Sequence, residues 1–194
     1  MPEQIRDGSG KGFLAAVNSD NQLQTRAVAV AQRLESALDG NYYEVTTGKI
    51  ELTTANETSL FYIKNSENKV IVIDRVFYDV WESTGGSVGG TIEYYRNPTY
   101  TGGVAATQYN TEFSSDDQLD ATVLTWSVGS PLVLSGNEWW RGYVPVPSSN
   151  VVEEGRFVLN TNNTFGISIV PPASNTSMYV AINVALFVFD VDLT

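Results

Sequence analysis

The chain has 194 residues, of which 42% are hydrophobic, enough for one domain with a sizeable core. Its 22 acidic and 11 basic residues give a formal net charge of −11, which argues against direct nucleic-acid binding because phosphate recognition needs a basic face. The sequence lacks both cysteine and histidine, which excludes disulfides, thiolate nucleophiles, Ser-His-Asp triads and metal sites ligated by either residue. These exclusions favour a binding or structural protein over an enzyme.

The sequence also gives no reason to expect a membrane partner. Its longest apolar segment, Met178 to Phe189, is interrupted by Asn183 and is shorter than the roughly 18 to 20 residues that span a bilayer. The N-terminus lacks the basic and then apolar pattern of a secretion signal. We therefore expect a soluble chain that folds in a cytoplasm and needs no cofactor.

Residues 1–40 differ in composition from the rest of the chain. They are polar and glycine-rich, which is typical of an extended N-terminal arm that docks on another surface through scattered apolar residues; a plain flexible terminus is the alternative. One short helix is predicted over Ala31 to Leu38, ending at Asp39 and Gly40. The apolar residues expected to anchor the arm are Ile5, Phe13, Leu14, Val17 and Leu23.

Residues 41–194 consist of short β-rich runs separated by turn residues. The runs without intervening helices predict an all-β fold, an antiparallel β-sandwich of the jelly-roll type, with an immunoglobulin-like sandwich or a small barrel as alternatives. Two segments are predicted to be surface loops, Ser83 to Gly90 and Asn97 to Asp120. The predicted strands are Tyr42–Thr46, Lys49–Thr53, Leu60–Lys64, Val70–Trp81, Thr91–Arg96, Val123–Ser127, Leu132–Leu134, Trp139–Val144, Arg156–Asn160, Phe165–Val170 and Tyr179–Val191.

Carboxylates are the remaining candidates for chemistry. A glycosidase needs only two acids about 5 to 10 Å apart, and clustered acids such as Asp116, Asp117 and Asp120 can bind calcium. The spacing fits no EF-hand loop, and the sequence pairs no acids across the fold, so we interpret all of them as solvated and predict neither a catalytic nor a metal site. The acids considered are Asp116, Asp117, Asp120, Glu138, Glu153 and Glu154.

Aromatic residues offer a second kind of site. Adjacent pairs such as Tyr94-Tyr95 and Trp139-Trp140 are expected to point to opposite faces of a strand, one into the core and one outward. Outward rings either stack on sugars or cover a rim or subunit contact. A glycan is therefore a candidate ligand.

Three segments carry a resemblance: IRDGSGKGFLAAVNSDNQLQTRAV, ALDGNYYEVTTGKIELT and NTFGISIVPPASNTSMYVAINVALFVF. They resemble virion structural proteins of tailed bacteriophages, especially marine and cyanobacterial phages. Small β-sandwich proteins with an N-terminal arm in such particles look like capsid decoration (cement) proteins, commonly trimers on the outer head surface. The resemblance implies adhesion to a major capsid protein, with a head fibre or a glycan-binding tail or baseplate component as the alternative and a glycan hydrolase as a third.

A trimer requires a subunit seam. The closing strand Val180 to Phe189 is apolar on both faces, so we expect one face to meet a sister subunit, together with bulky residues of an earlier strand. The residues predicted at the seam are Phe77, Tyr78, Trp81, Val184, Leu186 and Val188.

Overall fold

A computed structural model describes residues 16–17, 23–24, 37, 39–83, 89–112, 115, 117–145, 148–173 and 177–190. The chain divides into two compact units, residues 1–32 and 33–194. The first contains a two-stranded antiparallel ladder, β1 (Ala16–Val17) and β2 (Leu23–Gln24). The predicted helix over residues 31–38 lies, apart from Ala37, outside the described residues. Within those residues, no helix has the length and hydropathy needed to cross a bilayer.

The second unit is an antiparallel β-sandwich, as the sequence predicts. Its strands are β3 (Tyr42–Thr46), β4 (Ile50–Leu52), β5 (Thr58–Asn65), β6 (Lys69–Ser83), β7 (Gly90–Thr101), β8 (Val104–Ala105), β9 (Thr107–Asn110), β10 (Ala121–Thr125), β11 (Val133–Val144), β12 (Ser148–Leu159), β13 (Thr164–Val170) and β14 (Met178–Asp190). One sheet has the order β12-β6-β14-β3-β9, with β4 also paired to β14, and the other has the order β11-β7-β13-β5-β10-β8. The chain therefore crosses repeatedly between the sheets.

The main core lies between the two sheets. Along β6, Ile71, Ile73, Val76, Tyr78 and Val80 are buried, and the intervening side chains point to the outer face, because successive side chains of a strand alternate. The same strand shifts register where Asp74 and Arg75 follow one another. This alternating burial places one face of β6 in the core between the sheets.

The segment from Asn97 to Asp120, predicted as a loop, contains regular structure. Strand β7 continues to Thr101, and two short strands, β8 and β9, follow before residue 111. β9 is an edge strand that pairs only with β3 among the described strands. Its residues Thr107 and Tyr109 are exposed, so this stretch lacks the apolar alternation that marks a half-buried strand.

A buried asparagine ties two turns of the sandwich together. Asn65, which has no exposed surface, donates from Nδ2 to the carbonyl oxygens of Lys69 at 2.7 Å and Leu159 at 2.8 Å. Its Oδ1 accepts from the backbone N–H of Glu67 at 3.0 Å. Its backbone also bonds the β12–β13 turn at Asn162 and Asn163. These bonds fix the β12–β13 turn, which borders the groove described below, to the end of β5.

Candidate functional site

An open groove lies on one side of the sandwich, where edge strand β11 of one sheet stands beside edge strand β12 of the other. Its volume is about 300 Å³, and its walls come from β7, β11, β12, β13 and the turn before β13. This volume is at the lower end of the range for small-molecule sites. The groove is therefore suited to a ligand of one or two rings.

Trp139 forms the aromatic wall of the groove. Strand β11 shifts register between Glu138 and Trp140, which is the signature of a β-bulge, a device that redirects a side chain. Trp140 stacks on Tyr94 with ring centroids 4.7 Å apart. Trp139, in contrast, is 53% exposed and packs edge-on against Phe157, at 5.2 Å and 90°. The Trp139 side chain is thus supported by a core ring and still more than half exposed to solvent.

The ring that supports Trp139 is itself held in the aromatic core. Phe157 stacks on Phe165 with centroids 5.2 Å apart and meets Tyr94 edge-on at 5.6 Å. Contacts of this kind stabilise beyond the area they bury, by about 0.5–1.5 kcal/mol per pair. The indole platform therefore rests on a rigid base.

The polar edge of the groove is formed by two asparagines and an arginine. Asn97, in a left-handed conformation at φ 50°, accepts from the backbone N–H of Thr164 through Oδ1 at 3.1 Å. Asn163 accepts from the backbone N–H of Asn160 through Oδ1 at 3.1 Å. Both amides are thus anchored by their oxygens, which leaves the N–H donors of each side chain for other partners. Arg96, which is exposed, completes this edge.

A second polar cluster lies on the outer face of the sheet that contains β7, where Glu93 and Tyr95 alternate with the core residues Ile92 and Tyr94. The Arg141 guanidinium contacts the carboxylates of Glu93 at 2.7 Å and Glu138 at 2.6 Å. The Tyr95 hydroxyl donates to Glu57 at 2.7 Å and lies 3.3 Å from Glu93. Glu93 is only 2% exposed. Three carboxylates therefore share one guanidinium and one phenol.

This crowding changes the acidity of two groups. Burial raises the pKa of the Glu93 carboxyl, and the charge of Glu57 raises it further, while Arg141 opposes the rise. Burial also raises the pKa of the Tyr95 phenol, and its hydrogen bond to Glu57 adds to the rise. A carboxyl of raised pKa is a general mark of catalytic sites. Here Glu93 is enclosed by its partners, so the geometry indicates a structural network.

The arm residues predicted from the sequence lie mostly outside the described part of the chain. Ile5, Phe13 and Leu14 are not among the described residues. Val17 and Leu23 are directly opposite one another in the β1–β2 ladder. The capsid-binding role of all five stays a prediction.

The predicted seam residues separate into two sets. Tyr78, Val184, Leu186 and Val188 are at most 5% exposed and belong to the core between the sheets. These four side chains therefore stabilise the sandwich itself, whereas a seam requires side chains on an outer face. Phe77 and Trp81 alternate with the buried ones and point outward.

The outer face that carries Phe77 has a small apolar cluster of its own. Tyr42, Ala185 and Phe187 are buried there, and Phe77 packs against them. Lys49 lies over the Tyr179 ring at 3.8 Å and near the Trp81 ring at 5.6 Å. The outward side chains of β14 are thus apolar as well, which explains why its sequence is apolar on both faces.

Of the six acids considered from the sequence, the structure describes the side chains of three, and it shows no contact between them. Asp117 and Asp120 are exposed, and Glu138 pairs with Arg141. Asp116 and the side chains of Glu153 and Glu154 lie outside the described set. Nowhere in that set do three acidic side chains gather in a way that suits a metal ion.

Sequence reasoning missed most of the groove and the buried cluster. It expected one ring of the Trp139-Trp140 pair to point outward, without assigning which, and it did not select Arg96, Phe157 or Asn163, which come from distant positions in the chain. It considered Glu138 but not Glu93. The sequence carries no signal for the Glu138–Arg141 pair, because residues three apart point to opposite faces of a regular strand; the register shift of β11 between Glu138 and Trp140 lies between them.

The chain matches no protein-family model, and no curated protein matches it.

Proposed function

We propose that the chain is a structural protein of a bacteriophage particle, a decoration (cement) protein that binds the outer surface of the head through the major capsid protein. It acts by adhesion rather than catalysis. The observation that supports this most directly is the division of the chain into residues 1–32 and a sandwich whose two six-stranded sheets use only residues 42–190. No described strand of these two sheets comes from the first 32 residues, and we infer that these residues are available to bind another partner.

The strand order adds support from the fold. We infer a jelly roll from the interleaving of β3, β14, β6 and β12 in one sheet with β5, β13, β7 and β11 in the other. Two sheets of four such strands, joined by crossings between them, are the pattern of viral capsid and lectin domains. Fold alone does not determine function, so this supports the class of protein and not its position on a particle.

A cement protein stabilises a shell by adding contact area between neighbouring capsomers. Pressure from packaged DNA must then break more buried surface to open the shell. An extended arm adds many modest contacts, and three arms in a trimer bind with avidity. With a net charge of −11, the protein is expected to avoid DNA and to bind the protein shell from the outside.

The test is binding to expanded empty heads by co-sedimentation. Deleting residues 1–38 should leave a folded sandwich that no longer binds. The deletion also removes Ala37, which packs against the cluster of Tyr42, Ala185 and Phe187, so a full-length variant with Phe13→Asp and Leu14→Asp provides the sharper comparison. Full-strength binding by both variants would overturn the arm proposal, and Tyr109→Ala, an exposed change far along the chain, serves as the matched control.

A second function is favoured by the groove beside Trp139. A head fibre, or a tail or baseplate component that binds a glycan on the host surface, would use an exposed aromatic platform with polar groups at its edge. Such a protein should bind its sugar without residues 1–38. The deletion therefore separates the two functions, because it abolishes only the first.

A further inference from the structure

We infer that the groove between β11 and β12 binds an acidic saccharide, a sugar ring that carries a carboxylate. This inference rests on the second of the two proposed functions and names the class of ligand. Its first support is the platform, because Trp139 is 53% exposed while its ring packs perpendicular to that of Phe157. An apolar ring face of a sugar covers such an indole, while its hydroxyls reach the polar edge.

The second support is charge. Of the described residues that line the groove, Arg96 is the only charged one, in a chain whose net charge is −11. No ion pair of Arg96 is found within the described ranges. A guanidinium binds a carboxylate through two parallel hydrogen bonds. The groove therefore presents a local positive site on an acidic protein, which selects an anionic ligand over a neutral one.

The third support is the pair of amides. The Oδ1 atoms of Asn97 and Asn163 already accept backbone hydrogen bonds. The described part of the chain shows no acceptor for their side-chain N–H groups. These groups are therefore available as donors on amides that are already held in place by their oxygens. Donors of this kind suit sugar hydroxyl and ring oxygens. The set comprises one stacking surface, one cation and two amide donors within about 300 Å³.

The test uses the full chain and a panel of probes: oligosaccharides of galacturonate, glucuronate and mannuronate, and sialic acid. Each is compared with its methyl ester, which keeps the ring and removes the charge. Calorimetry measures affinity, and the indole N–H signal of Trp139 in a nitrogen-15 spectrum reports the site. At least one acid should bind about ten-fold more tightly than its ester, and the difference should shrink as salt is added.

Variants assign the contacts. Arg96→Gln should weaken the acid by about ten-fold and leave the ester unchanged, while Arg96→Lys retains part of the preference. Trp139→Ala should weaken acid and ester alike, and Tyr109→Ala, 57% exposed on a different strand, should weaken neither. Three results would overturn the inference. They are equal affinity for acid and ester, full sugar binding by Trp139→Ala, and no binding of any acid at about 10 mM. If the unaltered chain binds none of the acidic saccharides but still co-sediments with heads, the saccharide site alone is refuted and the cement function stands.

Discussion

Asn65 and Leu159 are joined by a hydrogen bond of 2.8 Å from the asparagine Nδ2 to the leucine carbonyl oxygen, across 94 positions of sequence. Asn65 ends β5 in one sheet, and Leu159 ends β12 in the other. The bond thus couples the two sheets at the end of the sandwich where the groove lies. Leu159 and the following turn line that groove, so the same bond fixes one wall of the proposed site.

Asn65→Ala should be strongly destabilising. The change removes one buried hydrogen bond, to the Leu159 carbonyl oxygen, and two partly buried ones, to the Lys69 carbonyl oxygen and from the Glu67 N–H, and a buried group left unsatisfied costs about 1–3 kcal/mol. We expect a loss of about 2–5 kcal/mol in the free energy of unfolding, measured by urea denaturation. Asn137→Ala, an exposed asparagine on β11, is the control and should change stability by less than about 0.5 kcal/mol. Equal effects of the two would contradict the coupling.

Alanine substitutions at three glycines distinguish the cost of backbone strain from the cost of steric overlap. Gly129 has open space for a Cβ, and Gly48 has open space but a φ of 67°. Gly102 has a φ of 68°, and the Pro131 carbonyl oxygen occupies the space that a Cβ would need. Substituting alanine at Gly48 should cost about 1–2 kcal/mol from the left-handed conformation alone. The same change should cost more at Gly102 and almost nothing at Gly129, by thermal denaturation. A Gly102→Ala protein as stable as Gly48→Ala would refute the steric contribution.

Glu93 predicts a specific pH dependence of stability. Because burial and the charge of Glu57 raise its pKa in the folded state, the folded chain holds this proton to higher pH than the unfolded chain does. The contribution of Glu93 to the free energy of unfolding is then largest below its ordinary pKa, falls as pH rises through the window between the ordinary and the raised value, and is flat above. Glu93→Gln should remove this part of the decline.

The measurement for Glu93 is urea denaturation of the wild type and Glu93→Gln at intervals between about pH 4 and pH 8. Glu44→Gln, which alters an exposed acid on the opposite sheet, is the matched control and should keep the wild-type profile. A Glu93→Gln profile that runs parallel to that of the wild type across the whole range would show that Glu93 does not titrate as proposed.

The sandwich was predictable because most of its strands bury one face against the core. Along β6 the buried positions alternate from Val76 to Val80, although the outward Phe77 is apolar too, and the sequence identifies this strand as a β-rich run bounded by turn residues. Strand β14 shows the limit of the same reasoning. Its core side chains, such as Leu186, and its outward ones, such as Phe187, are equally apolar because a second cluster buries the outer face. Composition alone therefore cannot assign the faces of this strand.

The groove was beyond sequence reasoning for a different reason. Its parts lie at Arg96, Trp139, Phe157 and Asn163, and only the pairing of four strands brings them together. The bulge after Glu138 adds a residue to β11, so simple alternation does not describe the direction of Trp139. Register and bulges depend on long-range contacts, which a single sequence does not display.

Trp81 is the sharpest test of the proposed trimer. Its side chain lies on the outer face of the sheet, beside Lys49 and Tyr179, while its neighbour Val80 is in the core. Trp81→Ala removes a large apolar surface from that face without opening the core, so the protein should remain folded and trimers should dissociate to monomers at micromolar concentration. Sedimentation velocity measures the state, and urea denaturation confirms folding. Trp139→Ala, which truncates an exposed tryptophan in the groove, should remain trimeric. A monomeric wild-type protein would contradict the proposed trimer. Trimers that persist unchanged in Trp81→Ala would show that the subunit contact lies on another surface.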